Sequence, residues 1–94
     1  MDRMTPVPRF VESGAVRVVV LDDARSVRFY EDASVRFDHV CDRGDRGVIR
    51  CAPALRIGEG HQVVADDPLT IVASILCPDC GDHGWVRCGQ WVPA

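Results

Sequence analysis

The chain has 94 residues, of which 47% are hydrophobic and 27% are charged. This is the length and composition of one packed domain, and it excludes a multidomain enzyme or a fully disordered chain. Fourteen acidic residues against eleven basic ones give a net charge of -3, which argues against a broadly basic face for nucleic acid. No apolar run reaches the roughly 20 residues of a membrane-spanning helix, and the first residues lack the layout of a secretory signal. We therefore expect no membrane partner and no secretion through a signal peptide.

The N-terminal half contains a predicted arm followed by strands. Residues 1–15 include Pro6, Pro8 and Gly14, which is typical of an extended arm or an edge strand. Residues 16–21 form a β-branched run that predicts a strand. The tetrapeptide Ser-Val-Arg-Phe then occurs twice, at residues 26–29 and 34–37, with turn-forming residues between the copies. This arrangement predicts a hairpin of two alternating strands.

The second strand of this hairpin carries apolar and metal-binding side chains on one face. Val35, Phe37, His39 and Cys41 share parity, so their side chains point to the same side while the strand stays regular. The face is apolar where the strand begins and has an imidazole and a thiol where it ends. One end of the predicted core therefore offers two candidate metal ligands.

The second half of the chain is also predicted to be β-structure. Residues 42–47 are typical of a turn, and residues 48–51 of a short strand. A loop-rich segment follows, and residues 69–76 form a long apolar stretch that predicts a buried strand leading into Cys77. Residues 85–91 predict a closing hairpin. We therefore expect a mostly β fold: a small antiparallel β domain over residues 16–94, in one domain with the arm.

Near the C-terminus, residues 77–81 have the pattern of a zinc knuckle. Cys77 and Cys80 are two residues apart, a spacing at which one tight turn directs both thiolates at one metal ion. Pro78 restricts the turn, and Gly81 permits a backbone conformation that aims amide groups at the sulfurs. His83 follows closely enough to supply a third ligand.

One knuckle provides only half of a tetrahedral site, and the chain has no second pair of cysteines at this spacing. The best partner for the knuckle is the strand end that carries His39 and Cys41. Our preferred ligand set is Cys41, Cys77, Cys80 and His83, with His39 as the main substitute for one of them. Four such ligands would hold Zn²⁺ in a closed structural site. Such a site would clamp the knuckle to the central hairpin and stabilise a domain too small to bury much surface.

The remaining cysteines and the third histidine are weaker candidates. Cys51 lies just before a segment broken by proline, Cys88 has no neighbouring ligand, and His61 is expected in a loop. Five cysteines without a secretory signal argue against a disulfide framework. Ordinary buried or free thiols remain the alternative to zinc.

Three anchors in the chain resemble a family of small proteins found in actinobacteriophages and prophages. They are His39-Val40-Cys41, the segment Ser-Ile-Leu-Cys-Pro-Asp-Cys-Gly-Asp-His-Gly-Trp-Val at residues 74–86, and Gly89-Gln90-Trp91. The resemblance spans roughly residues 37–91 at these anchors. It implies a zinc-bound β domain of phage origin, acting in the virion or the host cytoplasm, and it implies no particular reaction. Cys88 stands where many members carry an acidic or other polar residue, which implies that Cys88 is not a ligand.

No catalytic constellation accompanies these residues. We therefore predict a non-enzymatic zinc-binding protein that acts through contacts with other proteins, either phage structural proteins or further copies of itself, as a virion or assembly accessory component. A zinc module that binds nucleic acid or the transcription machinery is the first alternative. A metal- or thiol-dependent enzyme is the second, and it would require an open coordination position or an activated thiol.

Overall fold

The structure, a computed structural model, describes residues 14–94 and contains nine β-strands within them. The strands in chain order are β1 Ala15–Asp22, β2 Arg25–Tyr30, β3 Val35–Asp42, β4 Val48–Cys51, β5 Ala54–Leu55, β6 Gln62–Asp66, β7 Leu69–Leu76, β8 His83–Arg87 and β9 Gln90–Pro93. A 3-10 turn covers Gly44–Arg46. The predicted arm falls almost entirely outside the described residues, and within residues 14–94 no helix is long and apolar enough to cross a membrane.

The strands form two antiparallel sheets. The first has the order β1-β2-β3-β4. Strand β4 pairs with the end of β3, and β5 pairs with the beginning of β3 along the same edge. The second has the order β6-β7-β8-β9, so every neighbour in it is also a neighbour along the chain. The prediction of a mostly β, antiparallel domain is confirmed.

The repeated tetrapeptides face each other in the β2–β3 hairpin. Val27 pairs with Phe37, and Phe29 pairs with Val35. The two copies run in opposite directions, so the valine of each copy lies opposite the phenylalanine of the other. All four side chains lie against the core or within it. The residues of one parity in β3 are buried to its end, where His39 and Cys41 are both fully buried, as the shared parity predicts, and Asp38 between them and Phe37 is buried too.

The core lies between the two sheets and contains residues from both. Its buried apolar members are Leu21, Val27, Val35, Phe37, Leu55, Leu69, Ile71, Ile75 and Val86. In β7 the buried residues alternate at its beginning and recur near its end, across an irregular pairing with β8. Both sheets therefore bury one face, and this shared core fixes the end of β3 beside the end of β7.

A stack of flat side chains links the sheets next to this core. Phe37 lies between the imidazole of His39, with centroids 4.9 Å apart, and the indole of Trp91, with centroids 5.1 Å apart. The Arg25 guanidinium lies 5.0 Å from the Trp91 ring centroid and donates two 2.8 Å hydrogen bonds to Asp82. Trp91 and Asp82 belong to the second sheet and its knuckle, so this stack connects both to β2 and β3.

Gly84 makes the packing of Trp91 possible. A Cβ atom on Gly84 would lie 2.5 Å from the Val92 carbonyl oxygen and 2.7 Å from the Trp91 indole. Neither neighbour can move freely, since one is backbone and the other is wedged against Phe37. We expect Gly84→Ala to lower the free energy of unfolding by about 1–3 kcal/mol through overpacking, as measured by chemical denaturation. Gly60→Ala is the control, because a Cβ there meets nothing within 4 Å, and an equal effect of both substitutions would contradict this account.

Candidate metal centre

Four potential ligands converge where β3 ends and the β7–β8 loop begins. His39 and Cys41 come from β3, and Cys77 and Cys80 come from the loop. One ligand atom from each residue lies within 4.8 Å of all the others. Cys77 and Cys41 are 36 positions apart in sequence, so the group joins the two sheets at one end of the core.

The loop has the hydrogen bonds of a tight metal-binding turn. The Gly81 N–H donates to the Cys77 carbonyl at 2.8 Å, and the Cys77 N–H donates to the Asp82 carbonyl at 2.8 Å. Gly81 has a φ of +79°, in the left-handed region where glycine is unstrained. Both cysteines of the knuckle are therefore held on one side of a closed turn, as the sequence pattern predicts.

The distances within the group fit a tetrahedral metal ion. Bonds of about 2.3 Å to sulfur and about 2.0 Å to nitrogen place two tetrahedral sulfurs about 3.8 Å apart, and a sulfur and a nitrogen about 3.5 Å apart. The Cys41 and Cys77 sulfurs are 3.8 Å apart, and Cys80 Sγ lies 3.7 Å from His39 Nε2. All four side chains retain free metal-binding atoms, since none of the cysteines forms a disulfide.

The state of the His39 side chain also points to a metal ligand. The imidazole is fully buried, and its Nδ1 atom has no hydrogen-bond partner among the described residues. The contact of Nε2 with the Cys80 sulfur is long and weak. Burying an imidazole with so few hydrogen bonds costs free energy. A metal bond at Nε2 would give that nitrogen a strong partner, while Nδ1 would remain without one among the described residues.

His83 is not part of the group, although the preferred set from the sequence includes it. Its side chain is exposed, and its Nε2 atom lies 3.1 Å from Ser74 Oγ. His83 begins β8 and shares parity with Trp85, while the intervening Gly84 faces inward and is buried. The strand therefore turns His83 outward, and His39, the substitute in the sequence-based set, takes the fourth position.

The other weak candidates lie outside the four-residue group. Cys51 on β4 is the cross-strand partner of His39 and is half-buried beside the group. Cys88 is exposed in the β8–β9 turn with a φ of +51°, and Gly89 beside it has a φ of +76°. Positive φ at both central residues is the signature of a type I′ hairpin turn. His61 contacts the Ser74 carbonyl oxygen at 3.0 Å.

Arg43 contacts the metal centre, which the sequence analysis missed by treating it as a turn residue. Its guanidinium donates to Cys41 Sγ at 3.4 Å, to Cys51 Sγ at 3.2 Å and to Asp79 Oδ2 at 3.0 Å. A divalent ion with three thiolates and one imidazole would have a net charge of -1, and Arg43 would supply a compensating positive charge. The only sequence signal is its position two residues after Cys41.

The thiols of the centre have different proton affinities. The Arg43 guanidinium lowers the pKa of the Cys41 thiol, whereas burial raises the pKa of Cys80 to about 11. Because metal ions bind thiolates, protons compete with the metal for these sulfurs. Arg43 reduces this competition at Cys41.

Arg43→Gln is therefore expected to weaken metal binding by about 10–100-fold, the usual effect of losing a partner of a ligand. The loss of metal affinity should grow as the pH falls. Without Arg43 the pKa of Cys41 is higher, so protons compete with the metal for this sulfur over a wider pH range. Competition with a chromogenic zinc chelator across a pH series measures this. Arg46→Gln removes the same charge from an exposed position in the same turn. Equal affinities for the two variants at every pH would show that Arg43 does not act on the centre.

Four protein ligands would fill a tetrahedral coordination sphere and leave no position for water or substrate, which is the pattern of a structural site rather than a catalytic one. Comparison of the chain with protein-family models, with curated proteins and with solved structures finds no match. Inferences about function therefore depend on the geometry of the site and on the surfaces of the domain.

Proposed function

We propose that this protein is a small zinc-stabilised β module that acts by binding other proteins, as an accessory component of a phage particle or of its assembly. The observation that carries the proposal is the buried group of His39, Cys41, Cys77 and Cys80, which joins the two sheets. The phage context is what the sequence resemblance implies. The structural group supports the zinc-stabilised part of the proposal.

Zinc is the metal that best fits these donors. Three thiolates and one imidazole form a soft, nitrogen-containing set, and tetrahedral sets of this kind are typical of structural Zn²⁺. The Cys41–Cys77 and Cys80–His39 distances are close to the edges of a tetrahedron built from zinc bond lengths. Hard cations such as Mg²⁺ and Ca²⁺ prefer oxygen ligands, and the group contains none.

A structural role follows from where the ion would act. The metal would connect β3 of the first sheet with the knuckle of the second, and each of these segments also contributes to the core. A metal link between segments far apart in sequence stabilises small domains, whose cores bury a limited fraction of the chain. The ion would thus hold the two sheets together without taking part in a reaction.

Exposed apolar side chains support a role in protein binding. The edge strand β1 presents Val16, Val18 and Val20 on its outer side, with exposed fractions of 62%, 42% and 69%. Apolar side chains in a row on an edge strand are typical of surfaces that contact other proteins. The acidic net charge further favours protein partners over nucleic acid.

Elemental analysis of the purified protein tests the zinc assignment. We expect one zinc ion per chain, and we expect a strong chelator to lower the melting temperature. A different metal at full occupancy, or a metal-free protein with unchanged melting, would contradict it.

Mass spectrometry of purified phage particles tests the functional context. The proposal predicts the chain at a fixed copy number per particle, or bound to an assembly intermediate in infected cells. Its absence from both would contradict the proposal. A gel shift with a steep salt dependence would instead favour the nucleic-acid module.

A further inference from the structure

The outer face of β8 carries three stacked side chains that the metal centre does not use. Gly84 and Val86 point into the protein and are buried, so His83, Trp85 and Arg87 point outward. The Trp85 ring stacks with the His83 imidazole at a centroid distance of 6.2 Å, and the Arg87 guanidinium lies 4.9 Å from the Trp85 ring centroid. These three side chains therefore contact one another along the strand.

Apolar side chains on the neighbouring strands extend the row into a patch. Val92 on β9 is the cross-strand partner of Trp85, and Leu76 on β7 is the partner of His83. Leu76 is 58% exposed. We call these five residues the Trp85 surface. Tryptophan and arginine surrounded by smaller apolar groups are the composition typical of binding hot spots in protein interfaces.

Strands β7, β8 and β9 differ in charge from the chain as a whole, whereas β6 at the edge of the same sheet ends with Asp66, which is paired with Arg17. The sequence contains 14 acidic residues, yet β7, β8 and β9 contain none. The ionisable side chains on these three strands are His83 and Arg87, which are both exposed. A partner that matches this face would carry carboxylates.

We propose that the Trp85 surface binds an acidic, partly apolar segment of a partner protein. Apolar side chains of the segment cover Trp85, Leu76 and Val92, and a carboxylate of the segment accepts hydrogen bonds from Arg87. This inference rests on the proposed function, and it assigns to that function a surface and the chemistry of a partner.

The arrangement of the rings favours a protein segment over single-stranded nucleic acid. Sequence-tolerant nucleic-acid binding needs open aromatic faces and a run of cations along the backbone. In this row the Trp85 ring is already in contact with the His83 imidazole and the Arg87 guanidinium, and its side chain is half-buried, so its faces are not open for base stacking. Arg87 is also the only permanent cation on β7, β8 and β9. A side chain of a protein partner can pack on the part of the ring that stays exposed.

Titration of the ¹⁵N-labelled, metal-loaded protein with a peptide of alternating glutamate and leucine tests the proposal. At low salt we expect shifts of the Trp85 indole N–H resonance and of the β8 amides, reduced by added salt. Arg87→Ser should lower the affinity about tenfold, as is typical of a hot-spot residue. Arg46→Ser, which removes an arginine from the β3–β4 turn, should leave it unchanged.

Three outcomes would overturn the proposal: no shift of these resonances with the acidic peptide, equal affinities of Arg87→Ser and the wild type, or equal binding of a lysine–leucine peptide. Shifts of the same resonances by oligothymidylate alone would assign the surface to nucleic acid instead. Zinc content and melting temperature, measured on the same samples, separate this inference from the proposed function. If the protein contains zinc but does not bind the peptide, only the proposed role of the Trp85 surface is disproved.

Discussion

Cys80→Ser is expected to release the metal and to unfold most of the protein at room temperature. A serine hydroxyl at this position cannot replace a thiolate ligand, so the ion would keep only three of its four protein donors. Structural zinc contributes about 10 kcal/mol or more to small metal-binding domains, which is comparable to the total stability of about 5–15 kcal/mol of a folded domain. The core alone leaves little margin, because a chain of 94 residues buries a limited fraction of its surface.

Cys88→Ser is the matched control, because it replaces the same atom at an exposed turn position between two strands of the second sheet. We expect a shift of the unfolding free energy of under about 0.5 kcal/mol, as for most surface substitutions. Elemental analysis and circular dichroism melts of both variants measure the difference. If both variants keep their zinc and melt alike, the four-residue group is not a metal centre.

The β-rich fold was predictable because its signals are local. Alternation of apolar and polar residues identified β3 and its buried face, and the repeated Ser-Val-Arg-Phe identified the β2–β3 hairpin and its turn. The closing hairpin was also predictable from its residues, although the role of Cys88 as a turn residue with positive φ was not. These features depend on neighbours within about ten positions along the chain.

The division into two sheets was not predictable in this way. Between β4 and β6 the chain forms only the two-residue strand β5, which returns to β3, and a turn around Gly58 and Gly60. No periodicity marks the point where the chain leaves the first sheet. The sheets meet through contacts such as Phe37 with Trp91, which are 54 positions apart in the sequence, and only the shared core selects such pairs.

The ligand set shows how a local signal can mislead. Closeness to Cys80 favoured His83, but a strand begins at His83 and its alternation turns this side chain away from the knuckle. The alternation rule that placed Cys41 on the inner face of β3 applies equally to His39. Strand parity therefore predicts the histidine that the structure brings together with the three cysteines, whereas distance along the chain does not. Arg43 was missed for a related reason, since its partners Cys51 and Asp79 come from other segments.

Substitution of the two histidines separates these two ligand sets. His39→Ala is expected to lower zinc affinity by more than about 100-fold, since loss of even an outer partner of a ligand costs about 10–100-fold. It also opens a cavity beside Phe37. His39→Cys should retain zinc, because a fourth thiolate completes a common structural set, and it shows whether the loss in His39→Ala comes from the missing ligand.

His83→Ala should keep wild-type zinc affinity and lose the contact with Ser74, at a cost of about 1 kcal/mol or less, together with the stacking on Trp85. The absorption spectrum of the Co²⁺-substituted protein gives a second measurement, because its charge-transfer and visible bands report the number of thiolates and the tetrahedral geometry. The spectrum should change in His39→Ala and His39→Cys and stay unchanged in His83→Ala. A changed spectrum in His83→Ala together with an unchanged spectrum in both His39 variants would mean that His83 turns inward and becomes a ligand when metal binds. The metal–nitrogen bond would then outweigh the outward orientation of this side chain on β8.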